Sequence, residues 1–176
     1  VSNYEKSKFH YSKVIAGKAR YEMSFNARLK RAFLGNGEKV KKELNKMLKD
    51  AKNAEYKDQI YYAMAEVEFN ENDEREAIYF LHQSAFYSTT NTRQKGMAYE
   101  RLADLSFLKR NYVPAQKYYD SCAQVITDAY PNAETIRNKA NNLAALVRAV
   151  ETSQKEDSLQ RIASMDEKSR VKFLKD

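Results

Sequence analysis

The chain has 176 residues, 43% hydrophobic and 31% charged, with a formal net charge of +7; that balance belongs to one folded domain with its own core, not to a disordered segment. Four glycines and two prolines are too few for the many turns of an all-β fold, so the composition points to helices. A lone Cys122 excludes an internal disulfide, and no apolar run approaches the roughly 18 residues of a membrane-spanning helix.

The chain opens "VSNYEKSKFHYSK", which is neither a signal peptide nor an initiator-Met start and reads as a piece of a longer protein. Residues 1–50 carry 13 Lys/Arg against 5 Asp/Glu. Such an end could dock an acidic partner, a nucleic acid or an anionic lipid surface, but a solvated Lys-rich helix face is the favoured explanation. It lacks the interleaved basic and stacking residues of a base-reading module. Within it, "KARYEMSFNARLKRAF", "LGNGE" and "KVKKELNKMLKDA" predict a helix, a turn and a second helix, a degenerate pair over 20–52. Val40, Leu44, Met47 and Leu48 line the second helix.

A clearer pair follows over 58–88. Ile60, Met64, Val67 and Phe69 fall on one helical face, and Ala77, Ile78, Leu81 and Ala85 on another. Between them "NENDERE" is a polar turn, with Asp73 placed to cap the second helix and Glu76 to complete a capping box. The pair over 96–126 repeats this pattern, with Asn111 at the cap and Pro114 in the first helical turn. Tyr61 and Tyr99, Met64 and Leu102, Ala65 and Ala103, Phe69 and Phe107, and Ala77 and Ala115 each stand 38 residues apart. Ser84 and Cys122 share that offset and are also small. Segments 88–92 and 127–132 connect the units, with Thr92 and Asn132 as expected caps. A further helix over 133–150 closes a domain spanning 1–150, and 151–176 forms a helical extension.

Small residues at one recurring position mark where paired helices cross closely, flanked by larger side chains. One such pair buries only part of its apolar surface, so neighbouring pairs must stack. The 13-residue step from Met64 to Ala77 and from Leu102 to Ala115, with Ala65 and Ala103 next in line, resembles the tetratricopeptide repeat. That resemblance implies helical hairpins stacked in a right-handed α-solenoid. Two features depart from the family pattern: the period exceeds the usual 34 residues, and Glu68 and Ser106 occupy its aromatic position, with Phe69 and Phe107 one place later.

No catalytic constellation is legible. His10 and His82 stand in separate helices, and H-E-x-x-H, C-x-x-C and phosphate-loop patterns are all missing. "GNG" at 35–37 reads as an inter-helix turn, Cys122 as a buried structural thiol, and the carboxylates of 70–76 as helix caps. No cofactor, metal or small-molecule substrate is expected. The expected function is protein binding on the groove lined by the first helices. Its candidate residues are Arg28, Arg31, Tyr62, Glu66, Phe69, Glu100, Asp104, Phe107 and Leu108. Glu66, Glu100 and Asp104 would repel a partner's terminal carboxylate, so the groove suits a segment with basic and apolar side chains.

A narrower resemblance rests on "MLKDAKNAEYKDQIYYAMAEVEF", "EREAIYFLHQSA", "NYVPAQKYYDS" and "EDSLQRIASM". Over residues 40–165 these are similar to the tetratricopeptide lipoproteins of Bacteroidetes known as the SprE/PorW family, of gliding motility and type IX secretion. The resemblance implies a non-enzymatic scaffold for secretion-machinery proteins. It also implies a periplasmic location, with a lipid anchor outside this segment holding the protein to the outer membrane. The alternatives are a general peptide- or protein-binding module, or a binder of acidic partners or nucleic acid through residues 1–50.

Overall fold

The computed structural model describes residues 2–35 and 37–173. Asn36 of the expected 34–38 turn, and Leu174 and Lys175 of the expected C-terminal helix, lie outside them. Among the described residues every regular element is helical: α1 (Ser2–Ala16), α2 (Tyr21–Phe33), α3 (Glu38–Lys49), a 3₁₀ segment (Ala51–Tyr56), α4 (Lys57–Asn70), α5 (Glu74–Tyr87), α6 (Thr92–Leu108), α7 (Tyr112–Val125), α8 (Ala133–Ala163) and α9 (Glu167–Phe173). Among the described residues no helix is long and apolar enough to cross a membrane.

Helices α4 and α5 form one antiparallel hairpin and α6 and α7 another. Helix α5 packs on α6 and α7 on α8, while α4 also touches α2 and α6. The crossing points are where side-chain size placed them: Ala65, Ala77, Ala103 and Ala115 are all fully buried. Ser84 and Cys122 are fully buried as well. Apolar burial proceeds in three linked sections. Phe25, Leu29, Leu44, Ile60 and Met64 join α2, α3 and α4; Ala65, Leu81 and Leu102 join α4, α5 and α6; Tyr119, Ile126, Ile136 and Leu143 join α6, α7 and α8.

The 38-residue offset extends to backbone geometry. Asn72 (φ 62°) and Arg110 (φ 60°) both adopt the left-handed conformation. In the first turn the Asp73 N–H donates to the Glu68 carbonyl at 2.9 Å and the Asn72 N–H to Phe69 at 3.1 Å. In the second, Asn111 donates to Ser106 at 2.9 Å and Arg110 to Phe107 at 2.9 Å. Both are the same helix-terminating motif, which satisfies the last carbonyls of the first helix and reverses the chain.

Three of the expected caps differ. Asp73 does cap α5, its Oδ1 accepting the Glu76 N–H at 3.1 Å, but Asn111 stands at the α7 N-cap without a side-chain cap bond. Pro114 accounts for part of this, because it removes one of the N–H groups a cap would satisfy. Helix α6 is capped by Asn91 and not Thr92, with Asn91 Oδ1 accepting the Gln94 N–H at 3.1 Å. Asn132 precedes α8 in a left-handed conformation and makes no cap bond.

The hairpins are also joined through polar groups. Lys41 Nζ bridges Glu68 at 2.7 Å and Glu71 at 2.6 Å, and Asn70 Nδ2 donates to the carbonyls of Phe33 and Gly35, each at 3.3 Å. These bonds tie the α2–α3 turn to the α4–α5 turn. At the other end of α4, buried Asp58 accepts Asn91 Nδ2 at 3.0 Å and Ser88 Oγ at 3.3 Å, fastening the α5–α6 connection to the start of α4.

Candidate functional site

Helices α4 and α6 lie side by side, and the 126–132 connection closes over one end of the space between them. The result is a cleft of about 270 Å³ lined by Tyr62, Arg93, Met97, Glu100, Arg101, Asp104, Tyr130 and Pro131. Glu100 and Asp104 stand four residues apart on α6 and therefore share a face, while Tyr62 of α4 and Tyr130 of the connection add aromatic surface to the lining.

Most of the charges are already matched. Glu100 Oε2 accepts the Tyr130 hydroxyl at 2.7 Å. Asp104 accepts the Tyr119 hydroxyl, and Lys139 Nζ reaches Asp104 at 3.3 Å and the Tyr119 oxygen at 3.1 Å. Glu66 faces Arg101 at 3.7 Å, and the Arg101 guanidinium lies 4.7 Å from the centre of the Phe69 ring. Burial and the nearby Glu66 charge push the Tyr62 phenol up to about 12. Burial and the bond to Asp104 push Tyr119 up to about 12, and burial with the Glu100 bond raises Tyr130 further. Burial also raises Glu66, against the pull of Arg101. The tyrosines therefore remain neutral donors, and the cleft presents aromatic faces framed by paired charges.

The expected groove residues divide into three groups. Tyr62, Glu66, Phe69, Glu100 and Asp104 come together at or beside the cleft. Arg28 and Arg31 face α3, where Glu43 lies 3.5 Å from Arg28 and 2.7 Å from Arg31, and Arg31 also donates to Ser12 Oγ at 3.2 Å. A separate cleft of about 250 Å³ between α2 and α3 includes Arg28 in its wall. Phe107 and Leu108 end α6 beyond the cleft, Phe107 edge-on to Tyr112 at 5.9 Å and Leu108 78% exposed. Sequence reasoning missed Tyr130, Pro131 and Lys139, which lie outside the two repeated pairs; "TDAYPN" signals a turn and not a wall. It also missed Arg93, Met97 and Arg101, which flank the chosen positions on α6.

Other reactive groups serve the fold. Burial pushes the Cys122 thiol up to about 12, and Sγ donates to the Gly96 carbonyl at 3.3 Å. Burial lowers His82, whose Nε2 lies 3.2 Å from the Tyr118 hydroxyl. Among the carboxylates of the α4–α5 turn, Asp73 is the cap, Glu71 holds Lys41, and Glu74 holds Lys109. Among the described residues no three His, Cys, Asp or Glu side chains converge as metal ligands.

No protein-family model matches this chain, and no curated protein matches it by sequence.

Proposed function

We propose that the chain is a tetratricopeptide-like right-handed α-solenoid acting as a non-enzymatic scaffold that binds protein partners. On the resemblance of residues 40–165, its place is in the type IX secretion and gliding machinery of Bacteroidetes. There the full-length protein faces the periplasm and is held to the outer membrane by lipid. The observation that supports binding over catalysis is the cleft itself. Its two tyrosines, Met97 and Pro131 offer contact area, while its carboxylates are engaged, Glu100 by Tyr130 and Asp104 by Tyr119 and Lys139, instead of poised for proton transfer. A partner segment with one basic and one apolar side chain fits Glu100 and the Tyr62–Tyr130 walls.

A photo-crosslinking residue at Arg93, on the exposed rim of the cleft, tests this reading in the full-length protein in gliding cells. The expected result is a discrete adduct with a secretion-machinery protein, lost when Tyr62→Ala and Glu100→Gln are combined. An adduct with a protein outside that machinery would leave a general binding module. Adducts no different from those at exposed Arg75 would overturn the assignment of the cleft.

A further inference from the structure

Helices α3 and α5 carry outward rows that neither the core nor the α4–α6 cleft uses. On α3, Lys39, Lys42, Lys46 and Lys49 recur at steps of three and four residues, so they form one line about 15 Å long. The opposite side of the helix buries Leu44 and Met47, which fixes the lysines outward, and all four are exposed. Among the described residues no carboxylate pairs with any of them. Neighbouring cations behave differently. Lys41 bridges Glu68 and Glu71, while Arg28 and Arg31 share Glu43.

On α5, Tyr79 and Phe86 stand seven residues apart and share a face, 52% and 73% exposed. Both are held in place by ring contacts. The contacts run from Tyr79 to Phe80 at 5.3 Å, to Tyr61 at 6.2 Å, to Tyr87 at 5.2 Å and to Phe86 at 5.3 Å. Lys57 lies 5.4 Å above the Tyr87 ring. Phe80 also packs on the buried cluster that includes Leu44 and Met47 of α3, which sets the lysine line beside the ring patch. The exposed acids of these two helices are Glu38 and Glu76, against the four lysines and exposed Arg75.

This combination selects its occupant. Lysines are hydrated point charges that attract negative charge without fixing its geometry, and they are depleted at protein–protein interfaces, where arginine is favoured. Exposed tyrosine and phenylalanine beside such cations suit the boundary between lipid headgroups and acyl chains, a soft surface that needs no matching cavity. Single-stranded nucleic acid also takes cations with aromatics, but in a groove that tracks its backbone; here both rows stand on outward helix faces. We propose that the α3–α5 face docks on an anionic lipid surface, with the lysine line over the headgroups and Tyr79 and Phe86 entering the interface. The inference rests on this face and is independent of the cleft and of the function proposed above.

Co-sedimentation of the 176-residue chain with phosphatidylcholine vesicles, with and without phosphatidylglycerol, tests it. Binding should be about tenfold or more tighter with phosphatidylglycerol and should fall as salt is raised. Lys42→Gln, Lys46→Gln and Lys49→Gln together should remove about tenfold or more of that affinity and flatten its salt dependence. Tyr79→Ser with Phe86→Ser should weaken binding with the melting temperature close to wild type, since both side chains are exposed. The chain has no Trp, so Phe86→Trp supplies a single reporter. Its emission should shift to the blue on vesicle binding and be quenched by brominated acyl chains. No capture by phosphatidylglycerol vesicles, capture unchanged by the triple lysine substitution, or an unshifted Trp emission in the bound protein would overturn the proposal. Equally tight binding of poly-glutamate or single-stranded RNA at the same salt would also overturn it, as a site for polyanions and not for lipid.

Discussion

Gly96 shows how tightly one position can be bound by its neighbours. A Cβ placed there would meet Ile126 Cγ2 at 2.5 Å and the Tyr130 ring at 3.3 Å. Gly96→Ala should therefore cost about 1–3 kcal/mol through overpacking, read as a lower thermal midpoint, and Ile126→Ala in the same chain should recover part of the loss. Ala65→Leu or Ala103→Leu should cost a similar amount, roughly 1–3 kcal/mol, by pushing the paired helices apart; unchanged melting would mean the helices do not cross there. These alanines were legible in the sequence because only small residues tolerate a close crossing, and the offset marked both members of each pair. Gly96 was not, because its constraint comes from Ile126 and Tyr130, about 30 residues on, and no local pattern announces it. Arg28 and Arg31 were misread for a related reason: their direction depends on how α3 sits, and Glu43 of α3 holds both.

Among the turns and junctions, polar chemistry decides what a helix does next. Burial raises Asp58, with hydrogen bonds from Gln59, Asn91 and Ser88 opposing the shift. A carboxyl group whose folded pKa lies above its unfolded value holds its proton more tightly in the folded state. It therefore costs stability as pH rises from the unfolded value, 3.8, through the folded one. Asp58→Asn removes that cost, so the melting temperature of the variant relative to wild type should climb across this window and then level off. A difference that stays flat with pH would mean that Asp58 titrates alike in both states. Lys41 is the counterpart on the opposite edge. Lys41→Met leaves the nearly buried Glu68 without its cation and should destabilise by roughly 2 kcal/mol, as denaturant unfolding would report. The hairpin turns were readable from Asp73 and Pro114, because a cap and a first-turn proline each depend on one residue, although Asn111 makes no cap bond. The uninterrupted run of α8 was missed because its outcome rests on an absence: Arg148 and Ala149 do not bring the chain out of a helix.

From α2 to the first part of α8, neighbouring helices pack on one another in succession, and polar ties such as Lys41–Glu68 and Asp58–Asn91 run between adjacent units. The all-helical architecture was available from composition and period alone. The cleft was legible only in part: Tyr62, Glu100 and Asp104 came from the repeat, but Tyr130 came from a connection the repeat does not specify. Stability in such a chain is close to a sum of local parts plus neighbouring interfaces. Drawn out between its two ends, the molecule should yield as a spring in series, giving way in separate steps instead of one rupture. Optical-trap extension is expected to show a staircase of lengthening events, each releasing about one hairpin. In the scaffold role proposed above, such a chain would stay bound to its partners while it lengthens.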